Sequence, residues 1–507
     1  MGAPLSRRRP GATSGLPPSR GRRHAVVIVV LGLAGCTAQG LDPTLDPGLD
    51  PGLDRGLNRG LNNTRWAPPR ALGEGVESYR PPPSPAAAAS IEGRPSPRPQ
   101  GTITLRQAMA LALAHHPDLQ AFAWEVREAG ARALQAGLGP NPELEAEFEN
   151  FAGGGDLAGT RSLETTLSLA QTFPLGGDIE RRRALADLRS QQAGWDYEAA
   201  RLEVLTEVTR RYVELLAAQR RVALSGDALT LAERVRDATE KRIAAGDAPP
   251  IAAARAAVPM ATARLDLRRA ERQQEAARRR LALTWAARAV TFQGVEGALE
   301  RLLPPPAPER LVALVSENPQ VARWAVEISA RRAEAALAQA EAIPDVTVRA
   351  GYRYDRAGDA GALVAGISLP LAIIDRRQGD VLAARLGEAA AADRRRNAER
   401  RVEVALSDAY MRLAAGYDEA SAIHDEALPP ATEAFELTRR AFEQGDVALI
   451  DLLDAERTLV ELHSAYLDAL TSHHLAVADI EGLIGRPLTG LDAAPHGANT
   501  RSNPEQP

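Results

Sequence analysis

The side chains in this sequence best suited to chemistry are acidic, and they come in rows. Glu143, Glu145, Glu147 and Glu149 alternate with Leu144, Ala146 and Phe148, and Glu164 stands in a second alternating stretch that runs to Phe173. A period of two puts such carboxylates on one face of a strand, where they can attract cations but have no convergent acid–base partner. A second group, Asp446, Asp451 and Asp454, surrounds a glycine turn at Gly445. Histidine offers little: His463 and His474 share a helix face, but eleven residues put them about 16 Å apart by rise, too far to hold one ion. His473 points elsewhere and His115-His116 end a helix, so neither a metal site nor a cofactor is expected. No HExxH, phosphate loop or nucleophile elbow occurs, and the chain is not expected to be an enzyme.

The sole cysteine, Cys36, has its own context. Arg20, Arg22 and Arg23 precede the apolar run Ala25 to Ala34, which is too short to span a bilayer needing roughly 20 apolar residues. The run ends in Leu33-Ala34-Gly35-Cys36, which resembles the lipobox of bacterial lipoproteins, so residues 1–35 are expected to be removed and Cys36 to carry lipid. Thr37 stands where that resemblance puts Asp for inner-membrane retention, which favours the outer membrane. A lone cysteine allows no intrachain disulfide. Residues 36–101, with the run Leu41 to Asn62 and the Pro/Ala-rich stretch Pro81 to Pro99, cannot bury an apolar face and are expected to form an extended tether. Residues 491–507 are expected to form a disordered tail.

Composition narrows the architecture. Only 4% of the 507 residues are aromatic, and the net charge of -5 comes from acids and bases spread evenly along the chain. Long helices fit this better than several globular cores, and no basic face suited to nucleic acid is expected.

The body is one unit written twice, over residues 102–300 and 301–490. Pro117 and Pro319 share an offset of 202 with Pro142 and Pro344, and the offset drifts only to 196–199 for Phe173/Leu369, Tyr212/Tyr410 and Gly246/Gly445. Each unit changes period from helical to two and back. Strands are expected at about 143–151 and 162–173, then 345–354 and 362–370, each pair separated by a glycine-rich turn. Their length suits a transmembrane strand, yet four strands cannot close a barrel alone, since small barrels start at about 8. A membrane role therefore requires several copies. Long helical hairpins follow at about 180–288 and 377–485, with Pro259 expected to kink the first and Pro429-Pro430 to interrupt the second. At about 1.5 Å per residue the proline-free stretch from Glu180 to Ala245 reaches roughly 100 Å, too long for a compact domain. Apolar stripes run through Val204, Val208, Tyr212, Leu215 and Leu216, and through Ile450, Leu453, Leu459, Leu462 and Tyr466. Gly246 and Gly445 suit tight turns with φ > 0, and Asp247 and Asp446 are placed to cap the helices that follow.

From Gly101 to Pro487 the chain resembles the TolC-like outer-membrane efflux family, and within it the CzcC-like group serving heavy-metal cation efflux. The resemblance is carried by Gly139-Pro140-Asn141-Pro142-Glu143-Leu144, by Phe148-Glu149-Asn150-Phe151 with Gly153, and by Gln171-Thr172-Phe173-Pro174-Leu175-Gly176-Gly177. It implies a mainly α fold with a small β part: a duplicated TolC-like unit giving four strands per chain to a 12-stranded trimeric outer-membrane barrel, continued by a coiled-coil helical tunnel in the periplasm. It also implies a homotrimer in outer-membrane lipid, joined to a periplasmic adaptor and an inner-membrane pump of the resistance-nodulation-division type. Arg242, Gly246 and Asp247 with Gly445, Asp446, Val447 and Leu449 then match the adaptor-docking turns, and Asp446, Asp451 and Asp454 are candidates for a periplasmic gate. In a closed barrel the apolar strand faces meet lipid, leaving Glu143, Glu145, Glu147, Glu149 and Glu164 to line the lumen with Arg349 and Arg353. The cargo alternative is a duct of the same fold for organic toxins. A periplasmic adaptor lipoprotein is the more distant rival, since it should carry one hairpin where this chain has two.

Overall fold

The computed structural model describes Leu72 and residues 98–490; Cys36, the export signal, most of the tether and the 491–507 tail lie outside the described residues. The first unit opens with β1 (Thr102–Ile103), α1 (Leu105–His115) and α2 (Pro117–Ala136). Thr104 caps α1 and Gln107 reaches back to the Thr104 N–H, so two otherwise orphaned donors are satisfied. Strands β2 (Glu143–Glu149) and β3 (Glu164–Phe173) follow, then α3 (Asp178–Ala245), α4 (Ile251–Leu283) and the short β4 (Gly294–Val295). The second unit repeats the plan with α5 (Pro308–Val312), α6 (Pro319–Ala340), β5 (Val346–Asp355), β6 (Ala360–Ser368), α7 (Gln378–Ala422), α8 (Leu428–Gln444) and α9 (Leu449–Ile484).

The repeat extends to atomic detail. Pro117 and Pro319 each occupy the first turn of their helix, and the preceding side chain caps it: His116 Nδ1 accepts from the Asp118 N–H at 3.3 Å and Asn318 Oδ1 from the Gln320 N–H at 2.7 Å. At the far ends Gly246 (φ 82°) and Gly445 (φ 93°) terminate α3 and α8 in the left-handed region that glycine adopts at least cost. Each is followed by an N–H that reaches back to the last turn, Asp247 to the Arg242 carbonyl and Asp446 to the Ala441 carbonyl, both at 2.9 Å.

Helices this long are not stable on propensity alone and need packed faces. The stripe Val204, Val208, Tyr212, Leu215 and Leu216 is buried in a core shared with Ile103, Leu113, Leu119, Leu281, Trp285 and Phe292. Tyr212 donates from its hydroxyl toward the Ile103 and Glu296 carbonyls, tying α3 to the β1–β4 pair. A second core joins Leu311, Val402, Leu406, Leu413, Ile480 and Ile484, and a third surrounds the turns with Val235, Phe435, Phe442, Leu452 and Leu459.

Pro259 lies inside α4, which continues through it as one helix. Two expectations change. The interruption expected at Pro429-Pro430 falls just before them, as a single π-turn over Ile423–Ala427 that hands directly into α8. The prolines lack the N–H groups that the Asp425 and Glu426 carbonyls would accept, and widening the preceding turn lets the rod continue to Gln444. Ile450, placed in an apolar stripe by its spacing, is 60% exposed, while Leu459 of the same stripe is buried.

Candidate functional site

The four longer strands form one antiparallel sheet in the order β2-β3-β5-β6, with β2 and β6 at unpaired edges. Its register decides what each face carries. Glu145 pairs with Ser168, Glu147 with Thr166 and Glu149 with Glu164; across the next seam Thr166 pairs with Arg353 and Ala170 with Arg349. Alternation therefore gathers Glu143, Glu145, Glu147, Glu149, Glu164, Arg349 and Arg353 on one face, and Leu144, Phe148, Leu167, Leu169, Tyr352, Leu363 and Ile367 on the other. Among the described residues nothing packs on the apolar face: Leu144 is 73% exposed, Ile367 78% and Leu363 90%. A single soluble chain seldom leaves so large an apolar surface bare.

The polar face is partly neutralised. Arg349 pairs with Glu145 at 3.1 Å, and Arg353 reaches both Glu164 at 3.2 Å and Glu149 at 3.5 Å. Thr166 and Ser168 are buried beneath these side chains, and Thr166 accepts from Arg353 at 3.0 Å. Among the described residues no basic side chain pairs with Glu143 or Glu147. On this face β6 presents Ala360, Ala362, Val364, Gly366 and Ser368, so it adds no compensating charge. The net effect is an acidic wall whose uncompensated glutamates lie on edge strand β2, with Asp355 at the end of β5 on the same face. Arg353 as the bridge between two glutamates is legible only once the register is known.

At the turns, Arg242 is the organising residue. It donates to the Phe442 carbonyl at 3.0 Å and to the Asp247 carbonyl at 3.2 Å, with its guanidinium over the Phe442 ring. Val447 and Leu449 pack against the tip core, and Gly246, Asp247, Gly445 and Asp446 are exposed or nearly so. The capping roles expected of Asp247 and Asp446 are not observed. Helix α4 begins after Pro250 with no side-chain cap, and at α9 the Asp451 carboxylate accepts from the Ala448 N–H at 3.1 Å. The tight glycine turns leave two or three residues before each helix starts, which carries Asp247 and Asp446 out of reach; the Ala448 to Asp451 spacing of three could have revealed the actual cap. Asp454 pairs with Arg457 at 2.7 Å and Asp451 holds the Ala448 N–H, which leaves Asp446 as the member of the acidic trio with neither an ion pair nor a side-chain hydrogen bond among the described residues.

The histidines separate as their positions suggest. His463 is exposed, His474 contacts the Leu299 carbonyl at 2.8 Å, and fully buried His473 accepts from the Leu303 N–H at 3.3 Å. Burial, with His474 beside it, pushes the His473 pKa down to about 4. Among the described residues no group of three or more His, Cys, Asp or Glu is placed to hold a metal ion. Nor is any described helix long and apolar enough to cross a membrane.

Residue type and spacing do not single out Glu456 in the sequence. Glu456 lies on α9 between Leu452 and Leu459, at spacings that put all three on one helix face, and it is only 6% exposed. Its Oε2 has no hydrogen-bond partner, and desolvation alone raises its pKa to about 7.

The sequence profile described as "Outer membrane efflux protein" matches residues 108–287 and again 311–486, one match per unit. The chain is 29% identical over 386 residues to the cobalt-zinc-cadmium resistance protein CzcC of Cupriavidus metallidurans, covering 76% of this chain and 90% of that one. It is 26% identical over 285 residues to the nickel-cobalt-cadmium resistance protein NccC of Alcaligenes xylosoxydans xylosoxydans, covering 56% and 63%. Among solved structures, the outer-membrane channel OprN superposes with a TM-score of 0.65 at 19% identity, over 83% of this chain and 98% of that one.

Proposed function

The chain belongs to the outer membrane efflux protein family, and from that premise we propose that it is a lipid-anchored duct through which three copies carry heavy-metal cations out of the cell. The observation that carries this is the sheet: one face apolar and bare, the other acidic, with both edges unpaired. In lipid every backbone group must be satisfied, so open edges require a closed barrel, and β6 of one copy meeting β2 of the next supplies it. Three copies give 12 strands with the apolar face outward and Glu143, Glu145, Glu147, Glu149 and Glu164 inward. Helices α3, α4, α7, α8 and α9 then continue the wall into the periplasm.

Metal cargo is favoured by the excess of glutamate over arginine on the inward face and by the likeness to resistance proteins for cobalt, zinc, cadmium and nickel. The duct works by passive electrostatics, so it needs a partner that expends energy. We assign that to an inner-membrane pump of the resistance-nodulation-division type, coupled through a periplasmic adaptor that docks at Arg242, Gly246, Asp247, Gly445, Asp446, Val447 and Leu449. Of the acidic trio proposed as a gate, Asp446 is the strongest candidate because Asp451 and Asp454 are engaged on their own helix. Lipid on Cys36 anchors each copy beside its barrel.

The test is growth and cell-associated metal in a strain lacking the gene and in the same strain complemented with it. Deletion should raise sensitivity to zinc, cobalt or cadmium salts and complementation should reverse it. Sensitivity confined to organic toxins would move the cargo to the alternative class.

A further inference from the structure

The two hairpins differ in one mechanical respect. Helix α3 runs unbroken for 68 residues to its turn, whereas the equivalent rod of the second unit carries the π-turn at Ile423–Ala427. Such turns interrupt the regular i→i−4 hydrogen-bond ladder and are among the places where long helices bend. Everything beyond this one, α8 and the first part of α9, packs in the separate tip core of Phe435, Phe442, Leu452 and Leu459, with Val235 of α3 as the opposing surface.

Into the α9 face of that core the sequence sets Glu456, buried and without a hydrogen-bond partner on Oε2. It borders a groove of about 960 Å³ between α3, α4 and α9. The charged groups around the groove are already committed: Arg221 of α3 to Asp468 and Ser464, Arg269 of α4 to Asp266, and Arg457 of α9 to Asp454. On α8, Arg439 is held by Glu436 and Glu443. Arg234 and Arg440, two further arginines of the tip, lie beside Glu436, and burial is the only influence on the Glu456 carboxyl, with no cation close enough to offset a charge on it; a bare carboxylate in an apolar contact is costly. The packed tip therefore tolerates Glu456 in its neutral form.

We propose that Glu456 is a proton-sensitive lock on the tip of the second hairpin: with its proton the tip packs against α3, and without it the segment beyond the π-turn swings away and admits water to the carboxylate. That this movement opens the periplasmic mouth rests on the reading above; the movement itself does not.

The direction follows from linkage. In the packed tip Glu456 titrates at about 7, against 4.5 for an ordinary glutamate, which is the value a hydrated, open tip restores. Below 4.5 both forms hold the proton and pH has no leverage. Between 4.5 and about 7 the open form loses its proton first, so opening grows with pH, and above about 7 the gain levels off. One proton allows at most about a tenfold change in the open-to-packed ratio per pH unit.

The experiment is a spin-label distance between Ala244→Cys and Gln444→Cys, one on each tip, in the purified full chain with Cys36→Ser. Distances are recorded from pH 4.5 to 8 in detergent. The proposal expects a longer or second distance to appear as pH rises, and expects Glu456→Gln and Glu456→Leu to keep the low-pH distance throughout. A distance that ignores pH, or one that shifts equally in both variants, overturns it. Planar-bilayer conductance of the same proteins separates the two levels. Conductance that follows the distance supports the switch acting at the mouth, whereas distances that respond while conductance stays flat overturn the mouth assignment and leave the switch standing.

Discussion

The Arg242 guanidinium lies 4.7 Å from the centre of the Phe442 ring and donates to the Phe442 carbonyl at 3.0 Å, so a single side chain ties the turn of the first hairpin to the last turn of α8. Because Arg242 also holds the Asp247 carbonyl, it sets the spacing of both turns at once.

Replacing it should loosen that spacing. Arg242→Met keeps apolar contact with Phe442 but loses the charged donor, at a cost of about 1–2 kcal/mol for a half-buried bond. In planar bilayers the expected outcome is more frequent opening than in the parent, with Arg242→Lys intermediate. Unchanged gating in Arg242→Met would remove the tie from the mechanism.

Glycine at the close helix crossings should be hard to replace. A Cβ on Gly416 would meet the His473 amide nitrogen at 3.0 Å and its Cα at 3.1 Å, which neither helix can relieve by a rotamer change. At Gly482 the added Cβ would overlap Thr206 Oγ1 and meet its Cγ2 at 3.0 Å and its Cβ at 3.2 Å; Thr206 is β-branched, its hydroxyl is bonded to the Leu202 carbonyl, and rotation leaves its Cβ in place. Gly416→Ala and Gly482→Ala are therefore each expected to destabilise the fold by about 1–3 kcal/mol, read as a lower melting temperature.

His473 gives stability a second pH dependence, opposite in direction to that of Glu456. It stays neutral in the fold down to about 4, while an ordinary histidine binds its proton near 6.5. The unfolded chain thus gains protons first as pH falls, so this contribution is whole above 6.5 and is lost toward 4, by at most about 1.4 kcal/mol per pH unit. Because Glu456 offsets it in the parent, melting curves at pH 7 and 5.5 should show that loss in a Glu456→Gln background. His473→Gln, which keeps an acceptor for the Leu303 N–H, should show a shallower one.

Cys36 predicts a covalent change. Mass spectrometry of the mature protein should find an acylated N-terminal Cys36, and Cys36→Ser should abolish the added mass. An unmodified Cys36 would contradict the anchor.

Much of this was legible in the residues because two signals repeat. The paired prolines, the Gly246 and Gly445 turns and the alternation of Glu143–Glu149 each appear in both units or over enough residues to fix a period, and the structure keeps them in register. Features that depend on a neighbour were not legible. Pro429-Pro430 signals a break, but whether a helix ends or inserts a π-turn depends on the packing that follows. Ile450 matches an apolar stripe yet faces the groove beside α3 and α4, a gap that spacing cannot foresee. Asp247 and Asp446 have the chemistry of caps but sit outside the first turn of their helices. Glu456 was visible between Leu452 and Leu459; its missing cation was not.

In the proposed duct the acidic sheet face lines a water-filled, cation-favouring passage through a membrane. The direct measurement is the reversal potential of the purified protein in a planar bilayer under a tenfold salt gradient. Large channels with a cation-selective potential are expected, weakened in Glu145→Gln/Glu147→Gln and strengthened in Arg349→Gln, with the differences shrinking near 1 M salt, where charge is screened within about 3 Å. Absence of channels, or an ion preference unmoved by these substitutions, would contradict the account.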